Sequence, residues 1–522
     1  MSKLLKSSGA VAAATFLSRI LGFLRETAYS GFYGDTAVAS AFVLAFTIPN
    51  LFRRLLGEGA LTAVFVPVFL RKEKSDGLEA TWHGAAAVVS AVAAFCTAAT
   101  VLVILVASAL ITLVPMEVRH ELTLRILRCI IPYAILICTT AVFVAILNAR
   151  GQFFLPALGA ATMNVVMIAS VYWITPWFGT ELDDQVFGLA LGVVLSGIAQ
   201  AAFQVPALRR AGFQFKWVTP WKDPTVRETV RRLGPAVLGV AAYQFNVVIT
   251  QMIADHQAEY VVASYGYAVR LLELPQGVIG ISVATFLLTE LSRQAADQRY
   301  PDFRNTLREG ILHLVFINGL AGILLIVLAE PTVRLLFEHG RFTADSTARA
   351  ALALQFLAPG LLATSITGVL SRAFYALDDT RTPMRIGVFC LGMNVVLVFL
   401  FAGQFRQGGL AAANTLSALT NASLLFYAFR RKMPKFEIAA LVPPGLRMLG
   451  VALAAATLGG IAAYLWETRI GHVGKWRQAG AVFLPGTLAL AAHISLGLAI
   501  GLAPARELAG TLRRKILRQS AA

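Results

Sequence analysis

Charge is scarce in this sequence: 14% of its 522 residues are Asp, Glu, Lys or Arg, against roughly 25% in an ordinary water-soluble domain. A chain so poor in charge cannot cover a water-facing surface of normal size, and its mean hydropathy is +0.70. No stretch between its apolar runs is long enough to fold as a soluble domain. Cysteine is rare as well. Cys96, Cys129, Cys138 and Cys390 fall in apolar stretches without CxxC spacing, so they read as small buried hydrophobes rather than redox or metal groups. His83, His313 and His493 are isolated in the sequence, and neither a metal nor a cofactor is expected. Neither HExxH, GxSxG nor a P-loop occurs, which removes the common hydrolase and nucleotide-binding chemistries. Asp378–Asp379 is a paired carboxylate at a turn, the kind of site where a membrane transferase holds magnesium. Without further loop carboxylates nearby it is too little to define an enzyme.

What the sequence does have is apolar length. Runs of about 18 or more apolar residues recur from end to end, each able to cross a hydrocarbon core about 30 Å thick. Hydropathy places spans near 9–32, 38–56, 83–114, 122–147, 157–175, 186–207, 233–254, 260–291, 309–329, 347–376, 384–402, 409–429, 447–466 and 479–502. The expected fold is therefore all-α and integral to the membrane, with about fourteen transmembrane helices. The Ala-rich run after Lys3 and Lys6 imitates a signal peptide, but Arg19 and Arg25 interrupt it, and it reads as a retained first helix.

The formal net charge of +17 does not point to nucleic acid, because of where the charges lie. The loop 208–232 carries Arg209, Arg210, Lys216, Lys222, Arg227, Arg231 and Arg232, whereas 175–185 carries Glu181, Asp183 and Asp184 and no Lys or Arg. This is the positive-inside pattern, and it predicts both termini in the cytoplasm. The basic tail with Arg513, Arg514, Lys515 and Arg518 reads as topogenic or as facing anionic lipid.

The chain also repeats itself. Met163-Asn164-Val165-Val166 recurs as Met393-Asn394-Val395-Val396, a shift of 230, and Val38-Ala39-Ser40 recurs as Val262-Ala263-Ser264, a shift of 224. Each copy of the first motif follows a polar, Pro-containing turn, and each copy of the second opens a span carrying Pro and Arg. That offset covers six helices, an even number, so the two copies run in the same direction as a parallel repeat. The expected organisation is a six-helix lobe over 1–220, a second over 221–435, and two extra helices with a basic tail over 436–522. Carriers built this way place the substrate between the lobes.

Arginine within the spans carries the functional argument. Arg125, Arg128, Arg349 and Arg372 lie near helix ends and are expected to snorkel. Arg19, Arg25, Arg53, Arg54 and Arg270 lie deeper. Arg19 and Arg270 are about 15 Å into their spans at 1.5 Å per residue, and a central arginine costs about 2.5–3.5 kcal/mol on insertion scales. Glu26, Glu58, Glu273 and Glu290 are the acids in or beside these spans, too few to neutralise the set, although Arg270 and Glu273 are one turn apart and positioned to pair. Two readings remain: an ion-paired network holding the lobes together, or a hydrated cationic cavity that receives an anion. Arginine rather than lysine favours a phosphate or pyrophosphate, which its planar fork grips with two donors. Asn50 beside Pro49, Pro275 after Glu273, and the glycines flanking Glu58 mark breaks in helices, either hinges or packing kinks. Asn164 and Asn394 read as interhelical hydrogen-bonding residues.

These residues resemble a known family. The run Ser18-Arg19-Ile20-Leu21-Gly22-Phe23-Leu24-Arg25-Glu26 is similar to the first helix of the MurJ/MviN family of lipid II flippases, within the MOP exporter superfamily. Ala45–Ala60, with Pro49, Asn50, Arg53, Arg54, Glu58 and Gly59, resembles its second helix. Ala268–Gly280, with Arg270, Glu273, Pro275 and Gly277, resembles its eighth, and Ala376–Pro383 the loop after its tenth. The resemblance covers the whole chain, and it implies a flippase that moves undecaprenyl-pyrophosphate-linked disaccharide-pentapeptide, lipid II, from the inner to the outer leaflet of the bacterial cytoplasmic membrane for peptidoglycan synthesis. It further implies substrate-binding roles for Arg19, Arg25, Arg53 and Arg270, and cavity or gating roles for Glu26, Asn50, Arg54, Glu58, Glu273 and Pro275. The last two helices would help form a groove for the polyprenyl tail. Expected partners are lipid II, membrane lipids and cell-wall synthesis proteins, with the chain acting as a monomer and binding no nucleic acid. A carrier of the same superfamily for another lipid-linked oligosaccharide is the alternative. Ser40 and Val269 stand where the family commonly has Asp, and Glu26 where Asp is common, so this chain has lost two acids near its arginines.

Overall fold

The computed structural model describes residues 3–57, 60–277 and 281–510, and these contain helices and no strand. The chain runs through α1 (Lys3–Tyr33), α2 (Ala37–Phe52), α3 (Ala60–Leu113), α4 (Val118–Ile130), α5 (Tyr133–Ala149), α6 (Phe154–Ala169), α7 (Leu182–Arg210) and α8 (Pro224–Asp255). It continues through α9 (Val261–Pro275), α10 (Ile281–Ala296), α11 (Tyr300–Val327), α12 (Ala329–Phe337), α13 (Ala344–Leu357), α14 (Gly360–Ala376), α15 (Arg381–Lys432), α16 (Val442–Arg469) and α17 (Lys475–Ala499).

Helix ends follow from local chemistry. Gly34 at φ 63° ends α1, and the Thr36 side chain caps α2 by accepting from the Ala39 amide. Asp183 and Asp184 sit in the first turn of α7 and Arg209 and Arg210 in its last, each sign at the pole of the helix dipole that favours it. Thr343 and Ser346 form a reciprocal cap at the start of α13. α3 is broken at Gly77 (φ 83°), and α15 at Arg406, whose φ of 49° is a strained value for a residue with a side chain. α4 and α5 meet at a 41° bend, and α13 and α14 at 42°.

Eight of the described helices are long and apolar enough to cross a membrane, or ten if each bent pair is one span. This is fewer than the fourteen spans expected. α15 is counted once although it holds two of the expected spans on either side of Arg406, and the spans expected at 9–32, 233–254 and 260–291 fall on α1, α8 and α9–α10, which are not among the ten.

The chain forms two compact units, one of residues up to Met252 together with His339–Phe342, the other of Ile253–Glu338 and Thr343 onward. In the first, Leu61, Phe65, Phe69, Val88, Val142, Ile146, Leu208 and Phe213 make a buried core. In the second, Leu291, Phe303, Leu314, Phe316, Leu370, Phe374 and Phe429 do so, with the rings of Phe374 and Phe436 standing edge-on to Phe429. The final helices belong to this unit by small-residue packing: Ala452, Ala455 and Ala456 of α16 are buried beside Leu320 of α11. A Cβ on Gly459 would lie 3.0 Å from that of Ala489 on α17. Backbones approach this closely only where side chains are minimal, and lipid-embedded helices associate through such contacts. Three of the four cysteines are buried; Cys129, expected to be buried, is exposed.

Candidate functional site

The first unit carries most of the predicted cationic residues. Arg25 projects from α1 into a tight polar knot: its Nη2 lies 2.6 Å from Glu26 Oε1 and its Nη1 donates to Asn164 Oδ1 at 3.1 Å. The guanidinium carbon stands 5.6 Å from the centre of the Tyr29 ring. Asn164, on α6, is held in turn because its amide donates to the Ser18 carbonyl at 3.0 Å. One side chain therefore joins the α1 backbone to the α1 arginine. The Asn164 side chain lies against Gly22, where a Cβ would be in ordinary contact at 3.5 Å from its amide nitrogen. Both charged side chains of the knot are only about one-seventh exposed (15% and 14%). A buried charge pair is costly unless its remaining donors and acceptors find partners, and Asn164 supplies one for Arg25 Nη1.

Arg53 and Arg54 are positioned differently. Pro49 lies inside α2 and has no amide hydrogen to give the preceding turn. Thr47 beside it bonds Gln251 of α8. Past Asn50 the helix widens into a π turn over Arg53–Gly57, a local expansion that redirects side chains. Arg53 Nε donates to Asn50 Oδ1 at 2.8 Å, so Asn50 aims the guanidinium while leaving its charge in place. Arg54 Nε is buried with no hydrogen-bond partner among the described residues. Glu58 lies outside the described residues. The set Arg19, Arg25, Arg53, Arg54, Glu26 and Glu58 holds four cations and two acids, a surplus of two positive charges even with both glutamates ionised.

In the second unit Arg270 Nη1 lies 2.9 Å from Glu273 Oε2, both on α9 and both close to half exposed (41% and 46%). Pro275 ends α9, and a π turn follows at 276–277. α2 and α9 thus share a device: an arginine within five residues of an internal proline, and a widened turn after it. Arg25 and Arg270 carry their own carboxylates, whereas no carboxylate lies within ion-pair distance of Arg19 or Arg54 among the described residues.

Other sequence expectations resolve into structure. Asn164 does bridge two helices, as its mid-span position suggested, but its grip on Arg25 was not foreseen. The repeated Met-Asn-Val-Val motif was the available signal. The Asp378–Asp379 pair is a turn lock: Asp379 accepts from the Thr382 amide at 3.0 Å and hydroxyl at 2.9 Å and from Lys432 Nζ at 2.7 Å. Burial alone would raise its pKa, but these donors outweigh it and bring it down to about 2. The histidines are not isolated. His83 faces Asp223 at 3.5 Å, His313 meets Glu507 at 2.9 Å, and His493 is buried against the Phe316 carbonyl at 3.1 Å. Arg349, expected to snorkel, lies over the Tyr260 ring at 4.3 Å.

The described residues form helices and no strand, and eight to ten spans among them are long and apolar enough to cross a membrane. A multidrug-resistance MATE family transporter of the MOP superfamily, in an inward-facing conformation, superposes with a TM-score of 0.65 at 16% identity over 83% of this chain and 98% of that one. A structure of the lipid II flippase MurJ, in an inward closed conformation, superposes with a TM-score of 0.76 at 20% identity over 94% of this chain and 99% of that one. The fold is that of a MOP-type transporter. The family model for the lipid II flippase MurJ matches residues 30–474. A probable lipid II flippase MurJ of Bdellovibrio bacteriovorus is 32% identical over 506 residues, covering 96% of this chain and 95% of that relative. The chain belongs to the lipid II flippase MurJ family.

Proposed function

We propose that this chain flips lipid II from the inner to the outer leaflet of the bacterial cytoplasmic membrane by alternating access, with both termini in the cytoplasm and no partner copy required. Lobes over 1–220 and 221–435 carry the motion, and the helices within 436–522 hold the polyprenyl tail. The pyrophosphate is received by Arg19, Arg25, Arg53 and Arg270, while Glu26, Asn50, Arg54, Glu58, Glu273 and Pro275 set their orientation and the bending of their helices. Cell-wall synthesis proteins supply and consume the substrate. Membership of the family supports the substrate. The observation that supports the site is the excess of arginine over glutamate among Arg19, Arg25, Arg53, Arg54, Glu26 and Glu58, with Arg54 Nε buried and without a hydrogen-bond partner among the described residues.

The physical logic is charge neutralisation. Arginines held in an apolar protein are costly until an anion arrives, and a pyrophosphate offers oxygens to several planar forks at once. Its binding relieves that cost and biases the equilibrium between two conformations. A membrane potential adds about 2.3 kcal/mol per charge per 100 mV to any step that moves charge across the bilayer. The test is binding of purified lipid II to the protein in vesicles, with unlabelled lipid II and other lipid-linked oligosaccharides as competitors. Displacement by lipid II alone supports the reading, and equal displacement by the others assigns the broader carrier.

A further inference from the structure

The transport reading leaves one surface of the first unit unused. Residues 211–223 connect α7, a helix long and apolar enough to cross a membrane, to α8, and a spanning α7 brings this loop to headgroup height. It is firmly seated. Phe213 is buried in the first unit's core with its ring 5.7 Å from that of Trp82. The Val218 amide donates to Ser90 Oγ at 3.2 Å, and Pro220 is buried. Asp223 Oδ1 accepts from the Thr225 amide at 2.8 Å and caps the start of α8.

A loop anchored this well turns its largest aromatics outward. Phe215 is 48% exposed, Trp217 62% and Trp221 76%. Alternating with them are Lys216 and Lys222, and Arg209, Arg210 and Arg227 flank them, all exposed. None of these five cations has a carboxylate within ion-pair distance among the described residues. The neighbouring acids are engaged elsewhere: Asp223 with α8 and His83, Glu228 with Arg71 and Arg232. Trp rings settle at the membrane–water boundary because they are apolar in body and polar at one edge. Clustered lysine and arginine beside a span attract anionic headgroups.

We propose that the 209–227 segment is a docking surface for anionic phospholipid headgroups, with Phe215, Trp217 and Trp221 wedged at the boundary and the five cations binding the phosphates. The partner is a lipid surface, because charge and aromatics alternate along one rigid loop that lies beside the bilayer whichever leaflet it faces. The proposal does not depend on lipid II as cargo.

The experiment uses the full protein in nanodiscs of phosphatidylcholine, with or without phosphatidylglycerol, prepared with and without brominated acyl chains. The difference in emission between the wild type and a W217F/W221F variant isolates the two tryptophans. Brominated lipid is expected to quench that difference signal, and more strongly in phosphatidylglycerol discs. In native mass spectrometry, a K216Q/K222Q variant is expected to lose roughly thirtyfold in its preference for retained phosphatidylglycerol over phosphatidylcholine. Emission untouched by brominated lipid but quenched by aqueous iodide overturns the proposal and leaves the loop for a soluble partner. Equal retention of the two lipids by the wild type also overturns it.

Discussion

Replacing Asn164 with alanine removes the acceptor for Arg25 Nη1 at 3.1 Å and the donor to the Ser18 carbonyl at 3.0 Å, along with a longer bond to the Ala160 carbonyl of its own helix at 3.4 Å. A hydrogen bond to a charged group contributes about 1.5–3 kcal/mol and a neutral one about 0.5–1.5 kcal/mol. The Ser18 carbonyl is in a helix and keeps an intrahelical partner, so the loss falls mainly on Arg25. The expected destabilisation is about 2 kcal/mol, read as a lowered thermal transition in detergent. Arg25 retains Glu26, so its charge stays while its direction is lost. Transport is expected to fall further than stability accounts for. A double-mutant cycle between Asn164→Ala and Arg25→Ala isolates the pair, and the coupling should be about 1.5–3 kcal/mol. Asn164→Asp is the informative companion. It keeps the acceptor and adds a negative charge beside Arg25, so the protein stays folded while the cationic surplus drops by one and transport is impaired. Additive energies in the cycle, or an Asn164→Ala protein with wild-type stability and flipping, would refute the idea that α6 positions the α1 arginine.

Arg53→Lys should insert normally yet transport at well below a tenth of the wild-type rate, because an ammonium cannot hold two oxygens in a plane; complementation of a flippase-depleted strain checks this. Asp379 has a folded-state pKa of about 2, below the usual carboxylate value. Its contribution is therefore complete above about pH 4 and is lost as pH falls through that folded value. The thermal stability gap between wild type and Asp379→Asn should be constant near neutrality and close on acidification. Gly459→Leu forces a side chain against Ala489 and the Pro485 carbonyl and should cost about 1–3 kcal/mol, splaying α16 from α17. A thermal shift without loss of insertion is the expected readout.

Much of the architecture was legible because a bilayer imposes a simple rule: backbone polar groups must be satisfied within each segment, so apolar length reports helices directly. Breaks inside the spans were harder to read. α9 and α10 were read as one span over 260–291, but Pro275 and the widened turn after it break that stretch, and Arg270 and Glu273 lower its apolarity. α15 reads as two spans, and its helix does break between them, at Arg406, in a backbone conformation that no sequence rule assigns to arginine. At the site, the positions of Arg25, Arg53 and Arg270 along their helices were readable from hydropathy, and the Arg270–Glu273 pair from one-turn spacing. The partner of Arg25 was not, because Asn164 comes from a helix 139 residues away and its side chain carries no periodic signal. Asp378–Asp379 looked like half a metal site, whereas Lys432, 53 residues on, makes Asp379 a structural clamp.

The proposal stands on the guanidinium groups of α1, the α2 turn and α9, more numerous than the acids beside them, receiving a pyrophosphate-linked lipid and carrying it across the membrane. Leaflet-resolved labelling of lipid II tests it, in cells whose sole flippase is this protein or its Arg19→Ala, Arg53→Ala or Arg270→Ala variant, with membrane levels matched. The account predicts that outer-leaflet lipid II collapses in each variant while the inner-leaflet pool rises. An outer-leaflet pool maintained at the wild-type level by all three variants would contradict it.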